Sequence, residues 1–265
     1  MNLEKELKIA REISKKAGEK IIEIYNSPDF EIRIKEDKTP VTKADLAATD
    51  IIVNELKKHF PDYGFLTEEE KDNSERLDKE YVWIIDPLDG TKEFIAKNGE
   101  FTVNIALVKN KEPILGIIYV PTKKETYYAA KNRGSFYELN NEIKKLNVSD
   151  KKLIEEMEVV RSRFNAGEKL LKFLEKTNFR EIKVVGSSLK GCLIARGDAD
   201  IYYKFGSIHE WDICAMTLVL EEAGGTITDL EGKRLVFNKE SPSFEGFIAS
   251  NNKIHQELVR IGKNG

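Results

Sequence analysis

Cysteine is nearly absent from this 265-residue chain: Cys192 and Cys214 are the only two. A disulfide framework is excluded at that count and size. Both thiols lie in apolar stretches with a helical pattern, where a cysteine acts as a small buried hydrophobe. An excess of one charge is also missing. The chain carries 43 basic and 46 acidic residues, for a net charge of −3, so a nucleic-acid polymer is not an expected partner. No apolar run approaches bilayer-spanning length, and the opening Met1-Asn2-Leu3-Glu4-Lys5-Glu6 lacks the apolar core of a secretory signal. No membrane association and a cytoplasmic location are therefore expected. Internal repeats and low-complexity segments are absent as well. What remains is 40% hydrophobic and 34% charged residues, the composition of a soluble globular protein with ample Leu, Ile, Val and Phe to bury.

The order of elements follows from periodicity. Leu3, Leu7, Ala10, Ile13, Ala17, Ile21 and Ile24 recur at three- and four-residue steps, which predicts an amphipathic helix with one buried stripe. Ser27-Pro28 stops it, since proline cannot continue the hydrogen-bond ladder. A second helix is predicted from about Lys43 to Phe60. Strands follow at Tyr81–Ile85, Thr102–Val108, Ile114–Val120 and Glu125–Ala130, with turns at Lys109–Pro113 and Pro121–Lys124. Short turns between consecutive strands predict an antiparallel meander. Beyond a polar stretch at Asn140–Lys152 the rhythm changes. Strands at Met157–Arg161, Ile182–Val185, Ala199–Phe205, Thr226–Leu230 and Gly246–Ser250 alternate with helices at Ala166–Lys176, Ser188–Arg196, Trp211–Ala223 and Lys253–Ile261. That alternation predicts a layered α/β half. The boundary falls within 145–155, so residues 1–148 form an α+β half and residues 149–265 an α/β half.

The chemistry is concentrated in Trp83-Ile84-Ile85-Asp86-Pro87-Leu88-Asp89-Gly90-Thr91-Lys92-Glu93-Phe94. A buried strand delivers Asp86 at its end and Pro87 forces a turn, so two carboxylates and the Leu88 carbonyl can converge on one point. Hard cations such as Mg²⁺ take oxygen ligands of this kind, often shared with a substrate phosphate. The haloacid-dehalogenase phosphatases place one residue between their two aspartates; here Pro87 and Leu88 stand between them, so a covalent aspartyl nucleophile is not expected. Upstream, Thr67-Glu68-Glu69-Glu70 can add a further carboxylate, or serve as a solvated acidic face. Pro40-Val41-Thr42-Lys43-Ala44-Asp45 opens a helix, where Asp45 suits the first turn whatever else it does. Downstream, Glu210-Trp211-Asp212 leads into an apolar helix ended by Gly224-Gly225. Asp212 can cap that helix, or bring another carboxylate to a metal cluster.

Taken in order, these motifs resemble the inositol monophosphatase superfamily of lithium-sensitive, magnesium-dependent phosphatases. The resemblance runs along nearly the whole chain and implies that family's layered α/β/α/β/α sandwich, the fold of sugar phosphatases. It implies that Glu68, Asp86, the Leu88 carbonyl, Asp89 and Asp212 hold two or three Mg²⁺ ions. The N-terminal half then carries most of the metal ligands. Asp45 and Thr91, with Glu69 beside them, make up the implied catalytic set, which orients an attacking water. Gly90 and Thr91 would meet the phosphate through backbone amides. The expected partner is a small phosphate monoester, and the expected protein a monomer or homodimer.

Two further strings narrow the substrate. Asp-Gly-Thr91-Lys92-Glu93-Phe94 looks like the 3′(2′),5′-bisphosphate nucleotidases of the CysQ type, where inositol monophosphatases usually carry Thr-Asn-Phe. Val185-Gly186-Ser187-Ser188-Leu189-Lys190 is similar to the nucleotidase pattern; taken alone it also reads as an ordinary Ser-capped helix. Ser187, Ser188 and Lys190, with Lys92, would hold the phosphate that is not cleaved, and Arg161-Ser162-Arg163 would add charge. Lys204 stands where the family often has an arginine, which keeps the charge without the fork. The resemblance thus implies hydrolysis of the 3′-phosphate of adenosine 3′,5′-bisphosphate to AMP. The alternative is an inositol monophosphatase or a broad inositol/fructose-1,6-bisphosphate phosphatase. A non-catalytic sensor on the same fold is disfavoured, because the ligands and the Thr91–Asp45 pair are all kept.

Overall fold

A computed structural model describes residues 3–28, 31–34 and 39–264. In chain order the elements are α1 (Glu4–Tyr25), a two-residue ribbon of β1 (Arg33–Ile34) and β2 (Pro40–Val41), α2 (Lys43–His59), β3 (Gly64–Thr67), β4 (Tyr81–Asp89), α3 (Thr91–Ile95), β5 (Thr102–Lys109), β6 (Glu112–Val120), β7 (Glu125–Ala130), β8 (Gly134–Leu139) and β9 (Glu142–Lys145). The second half contains β10 (Glu158–Arg161), α4 (Glu168–Lys176), β11 (Glu181–Val184), α5 (Leu189–Ala195), β12 (Ile201–His209), α6 (Glu210–Glu222), β13 (Thr226–Thr228), β14 (Ser243–Ser250) and α7 (His255–Asn264).

These elements stack as α/β/α/β/α. A seven-stranded sheet in the order β3-β4-β5-β6-β7-β8-β9 and a five-stranded sheet in the order β11-β10-β12-β14-β13 form the two β layers. From β4 to β7 the larger sheet is the expected antiparallel meander, β8 and β9 continue it, and β3 joins β4 in parallel. α1 and α2 cover its outer face, α5 and α6 fill the space between the sheets, and α4 and α7 pack on the far side. The stripe read from the sequence is what α1 buries: Ala10, Ile13, Ala17, Ile21 and Ile24. Each buried isoleucine contributes about 2 kcal/mol, which outweighs the modest propensity of β-branched residues for helix.

The central layer has an apolar core that crosses the expected 148/149 boundary. It joins Ile84, Val108, Ile118 and Tyr127 of the first sheet to Val160, Tyr202 and Phe247 of the second, through Cys192, Cys214 and Val219 of α5 and α6. α6 sits very close to the sheet because Gly116 has no side chain. A Cβ there would come within 2.6 Å of the Ala215 carbonyl oxygen. The position of α6 matters because it carries Asp212.

Three local readings are corrected. β9 lies within the stretch read as polar loop, and all four of its side chains are exposed. An edge strand buried on neither face has no alternation to betray it, and its lysines suit an edge. β3 is too short to show a period. The turn expected at Lys109–Pro113 is only Asn110-Lys111, both at positive φ, the conformation that joins hairpin strands tightly. Pro113 is instead within β6, opposite Val108 at an irregularity of the ladder, where a missing N–H is tolerated. Among the described residues, no helix is long and apolar enough to cross a membrane.

Candidate metal and phosphate site

The site begins with a fault in the β4–β5 ladder. Asp86 pairs with Asn104, and the next paired residue, Asp89, stands opposite Thr102, so the register shifts at Pro87-Leu88. Proline has no N–H to give the ladder, and the extra residue makes a bulge. Residues three apart on a regular strand point to opposite faces. With one residue bulged out, both carboxylates turn the same way. The Leu88 N–H then donates to Asp86 Oδ1 at 3.1 Å, and Gly90 takes the left-handed φ of 99° that starts α3.

Asp212 reaches the same point from the first turn of α6. One ligand oxygen from each of Asp86, Asp89 and Asp212 lies within 4.8 Å of the others. Asp212 also caps its helix, since its Oδ2 accepts from the His209 N–H at 2.8 Å. The capping hydrogen bond is present, and the same side chain joins the carboxylate cluster. Burial first, then the charges of Glu68, Asp89 and Asp212, push Asp86 well above the usual carboxylate range. Asp212 is raised to about 8 by burial and by Asp89 and Glu68. So many carboxylates converging in one place form a donor set suited to a hard divalent ion. Glu68 lines the same cleft; Glu69 is not among its lining residues, and its charge acts on Asp86.

Asp45 is buried under the cleft, at the N-terminus of α2. Its Oδ2 accepts from the Thr42 N–H at 2.7 Å and the Thr42 hydroxyl at 2.6 Å. Its Oδ1 accepts from the Thr91 hydroxyl at 3.0 Å. Burial raises its pKa against the pull of those hydrogen bonds. Thr91 donates its hydroxyl hydrogen bond to Asp45, so its oxygen lone pairs remain to receive another hydrogen at the cleft. The pair expected from sequence is thus assembled across 46 residues.

The cleft is about 600 Å³ and its remaining wall is cationic and polar, with Lys92, Ser187, Lys190, Lys204, His209 and Trp211. The Lys92 ammonium donates to Asn165 Oδ1 at 2.9 Å. Lys190 is buried, and its ammonium donates to the Ser187 carbonyl at 2.5 Å. Burial lowers its pKa while Asp89 and Glu93 pull it up. Lys204 is likewise lowered by burial, against the attraction of Asp212. Arg163 pairs with Glu100 at 2.9 Å, and Ser162 reaches the cleft in its stead. The His209 and Trp211 rings stack on the rim, 4.5 Å apart and 8° from parallel.

Ser188 is placed differently from the anion contact its motif suggested. Its hydroxyl lies 2.7 Å from Asp89 Oδ2 and 3.0 Å from the Asp212 carbonyl oxygen. α5 has only seven residues, too short to present much of a helix dipole to an anion. Sequence reasoning passed over Asn104, which donates to Asp89 Oδ2 at 3.1 Å. It also passed over Arg76, Asn238 and Glu210. Buried Arg76 clasps Asp72 at 2.6 and 2.8 Å and donates to Asn238 Oδ1 at 2.5 Å. The Asn238 N–H donates in turn to Glu210 at 2.6 Å, at the head of α6. This chain ties the acidic segment after β3 to the helix that bears Asp212. No local pattern announces these residues, because their partners lie up to 163 positions away.

Comparison with known proteins agrees with this arrangement. The profile of the Inositol monophosphatase family matches residues 2–262. A 3′(2′),5′-bisphosphate nucleotidase CysQ from Buchnera aphidicola is 42% identical over 245 residues, covering 90% of this chain and 91% of that protein. The crystal structure of CysQ from Bacteroides thetaiotaomicron superposes with a TM-score of 0.80 at 36% identity, covering 94% of this chain and 98% of its own. An IMPase from Thermotoga maritima superposes at 0.84 with 30% identity, covering 98% and 97%.

Proposed function

The chain belongs to the inositol monophosphatase family, a family of phosphatases, and on that premise we propose that it removes the 3′-phosphate of adenosine 3′,5′-bisphosphate with Mg²⁺ as cofactor. The observation that carries the reading is the convergence of Asp86, Asp89 and Asp212 within one cleft, beside the Thr91–Asp45 pair and opposite Lys92, Lys190 and Lys204. Glu68, Asp86, the Leu88 carbonyl, Asp89 and Asp212 would hold the ions. When bound, Mg²⁺ supplies Lewis-acid activation of water and neutralises charge on the phosphoryl oxygens.

The chain's own groups do the rest. Thr91 Oγ1 accepts a hydrogen bond from the attacking water while its own hydroxyl donates to Asp45 Oδ1, so the water is held in one orientation. Asp45 is itself fixed by two donors from Thr42, and this leaves Thr91 a single hydrogen-bond direction. Glu69, outside the cleft lining, adds its charge to the cluster. The Gly90 and Thr91 amides face the transferring phosphate, and Lys92, Ser187 and Lys204 meet the phosphate that stays. Lys190 adds its charge from the cleft wall, where the Ser187 carbonyl holds its ammonium. The nucleotide is favoured over an inositol phosphate by the Lys92-Glu93 string and by the 42% identity to a 3′(2′),5′-bisphosphate nucleotidase.

The test is release of orthophosphate from adenosine 3′,5′-bisphosphate, inositol 1-phosphate and fructose 1,6-bisphosphate in Mg²⁺, with and without Li⁺. A marked preference for the nucleotide, inhibited by Li⁺, is expected. Preference for the inositol or sugar phosphate would overturn the substrate and leave the metal site standing. Turnover of all three in excess chelator would overturn the metal site.

A further inference from the structure

We propose that Asn104 and Ser188 are positioning residues that restrict Asp89 to one outward oxygen, and so favour Mg²⁺ over Ca²⁺ at the carboxylate cluster. This rests on reading the cluster as a metal site.

A carboxylate oxygen has two in-plane lone pairs. Around Asp89 Oδ2 the Ser188 hydroxyl stands at 2.7 Å, the Asn104 amide donates at 3.1 Å and the Thr102 hydroxyl lies farther off at 3.5 Å, while the Ser188 hydroxyl is also 3.0 Å from the Asp212 carbonyl oxygen. The same amide nitrogen donates to Ser188 Oγ at 2.9 Å, closing a triangle. The Asn104 amide is itself oriented: its Oδ1 accepts from the Thr102 hydroxyl at 3.0 Å, so the NH₂ must face Asp89. Thr102, Asn104 and Ser188 are 0%, 1% and 3% exposed, which shields the triangle from competing water. Asp89 Oδ1 accepts no hydrogen bond from the described residues and is left for an ion.

The two neighbouring ligands follow the same rule. Asp86 Oδ1 is held by the Leu88 N–H and Asp212 Oδ2 by the His209 N–H. Each aspartate therefore offers the cluster one unencumbered oxygen. Mg²⁺ wants single oxygens in a near-octahedral shell at about 2.1 Å, whereas Ca²⁺ takes about 6–8 oxygens and readily uses both oxygens of a carboxylate. A site in which bidentate binding costs a buried hydrogen bond selects the smaller ion. Of the three restraints only the one on Asp89 is made by side chains, so it alone can be removed by substitution. It also joins the halves, since Asn104 lies on β5 and Ser188 just before α5.

The experiment is calorimetric titration of the full chain with MgCl₂ and, separately, CaCl₂, comparing wild type, Ser188→Ala and Asn104→Ala. Unfolding temperatures in EDTA report the fold. Outer-shell changes of this kind cost about tenfold in metal affinity. The expected result is an Mg²⁺ Kd raised about tenfold in each variant, a Ca²⁺ Kd unchanged or lowered, and EDTA unfolding temperatures near that of wild type. Equal loss for both ions, or an unchanged Mg²⁺-to-Ca²⁺ ratio in both variants, would overturn the proposal. Wild type that binds neither ion would overturn the metal reading itself, a separate failure visible before any variant is made.

Discussion

His255 makes the folded chain sensitive to mild acid at a place far from the carboxylate cluster. It opens α7 and is 4% exposed. Its Nε2 lies 2.9 Å from Thr228 Oγ1 and its Nδ1 2.8 Å from Ser250 Oγ. The neighbours determine the tautomer. Thr228 donates its hydroxyl proton to the Asp229 carbonyl, so it can only accept from the ring. Ser250 accepts from the Asn252 N–H and keeps its hydroxyl hydrogen available for Nδ1. A neutral imidazole with its proton on Nε2 satisfies all of these partners, and burial lowers its pKa from 6.5 to about 4. Between those values the unfolded chain holds a proton that the folded chain does not. Stability consequently rises with pH in that window, is complete above about 6.5, and is lost progressively as pH falls toward 4. At about 1.4 kcal/mol per pKa unit the total loss is capped at about 3.5 kcal/mol, with about 2 kcal/mol of it between pH 7 and pH 5. That is a large share of the ~5–15 kcal/mol that holds a typical domain together. Urea unfolding in EDTA at pH 7, 6 and 5, for wild type and His255→Gln, isolates the term. The site carboxylates are common to both chains, so the difference in slope belongs to His255. The variant should lose about 2 kcal/mol less than wild type over this range, whatever its stability at pH 7. Parallel loss in the two chains would refute the reasoning. The outcome bears on function too, because the acid limb of an activity profile then contains a folding component besides the titration of the site.

Three more outcomes follow from the geometry. Thr91→Ala removes a hydroxyl that orients water and leaves every candidate ligand in place. Turnover should fall about 100-fold or more with Mg²⁺ affinity by calorimetry unchanged; unaltered turnover would remove Thr91 from the mechanism. Gly116→Ala puts a methyl where the Ala215 carbonyl oxygen stands 2.6 Å away, so α6 must shift. A loss of about 2 kcal/mol, read as an unfolding temperature lower by roughly 4–8 °C, should come with weaker Mg²⁺ binding, since Asp212 moves with the helix. Arg76→Leu leaves Asn238 without its partner and Asp72 without its cation. It should cost about 3 kcal/mol in urea unfolding, and a neutral result would show that the tie between the acidic segment and α6 is dispensable.

Much of the architecture was legible because its elements bury one face at a fixed period. The α1 stripe, the meander from β4 to β7 and the alternation after residue 157 are all written in the spacing of apolar residues. Elements without such a face, β3 and β9, left no mark. The site was legible where chemistry is local: Asp86, Pro87 and Asp89 share one bulge, and the Thr42–Asp45 capping pair lies three residues apart. It was illegible where the partner is remote. Ser188 looked like part of a helix-end anion site because its neighbours are Ser187, Leu189 and Lys190; what defines it are Asn104 and Asp89, 84 and 99 positions away.

The sequence by itself determined which residue types carry the chemistry and in what order they come, because turn geometry, bulge formation and helix capping depend on neighbours a few positions apart. Only the tertiary structure decided which oxygens of Asp86, Asp89 and Asp212 are held by hydrogen bonds, and that the Lys190 ammonium is spent on the Ser187 carbonyl. Those outcomes depend on hydrogen-bond directions between layers that meet only when the two sheets close on α5 and α6.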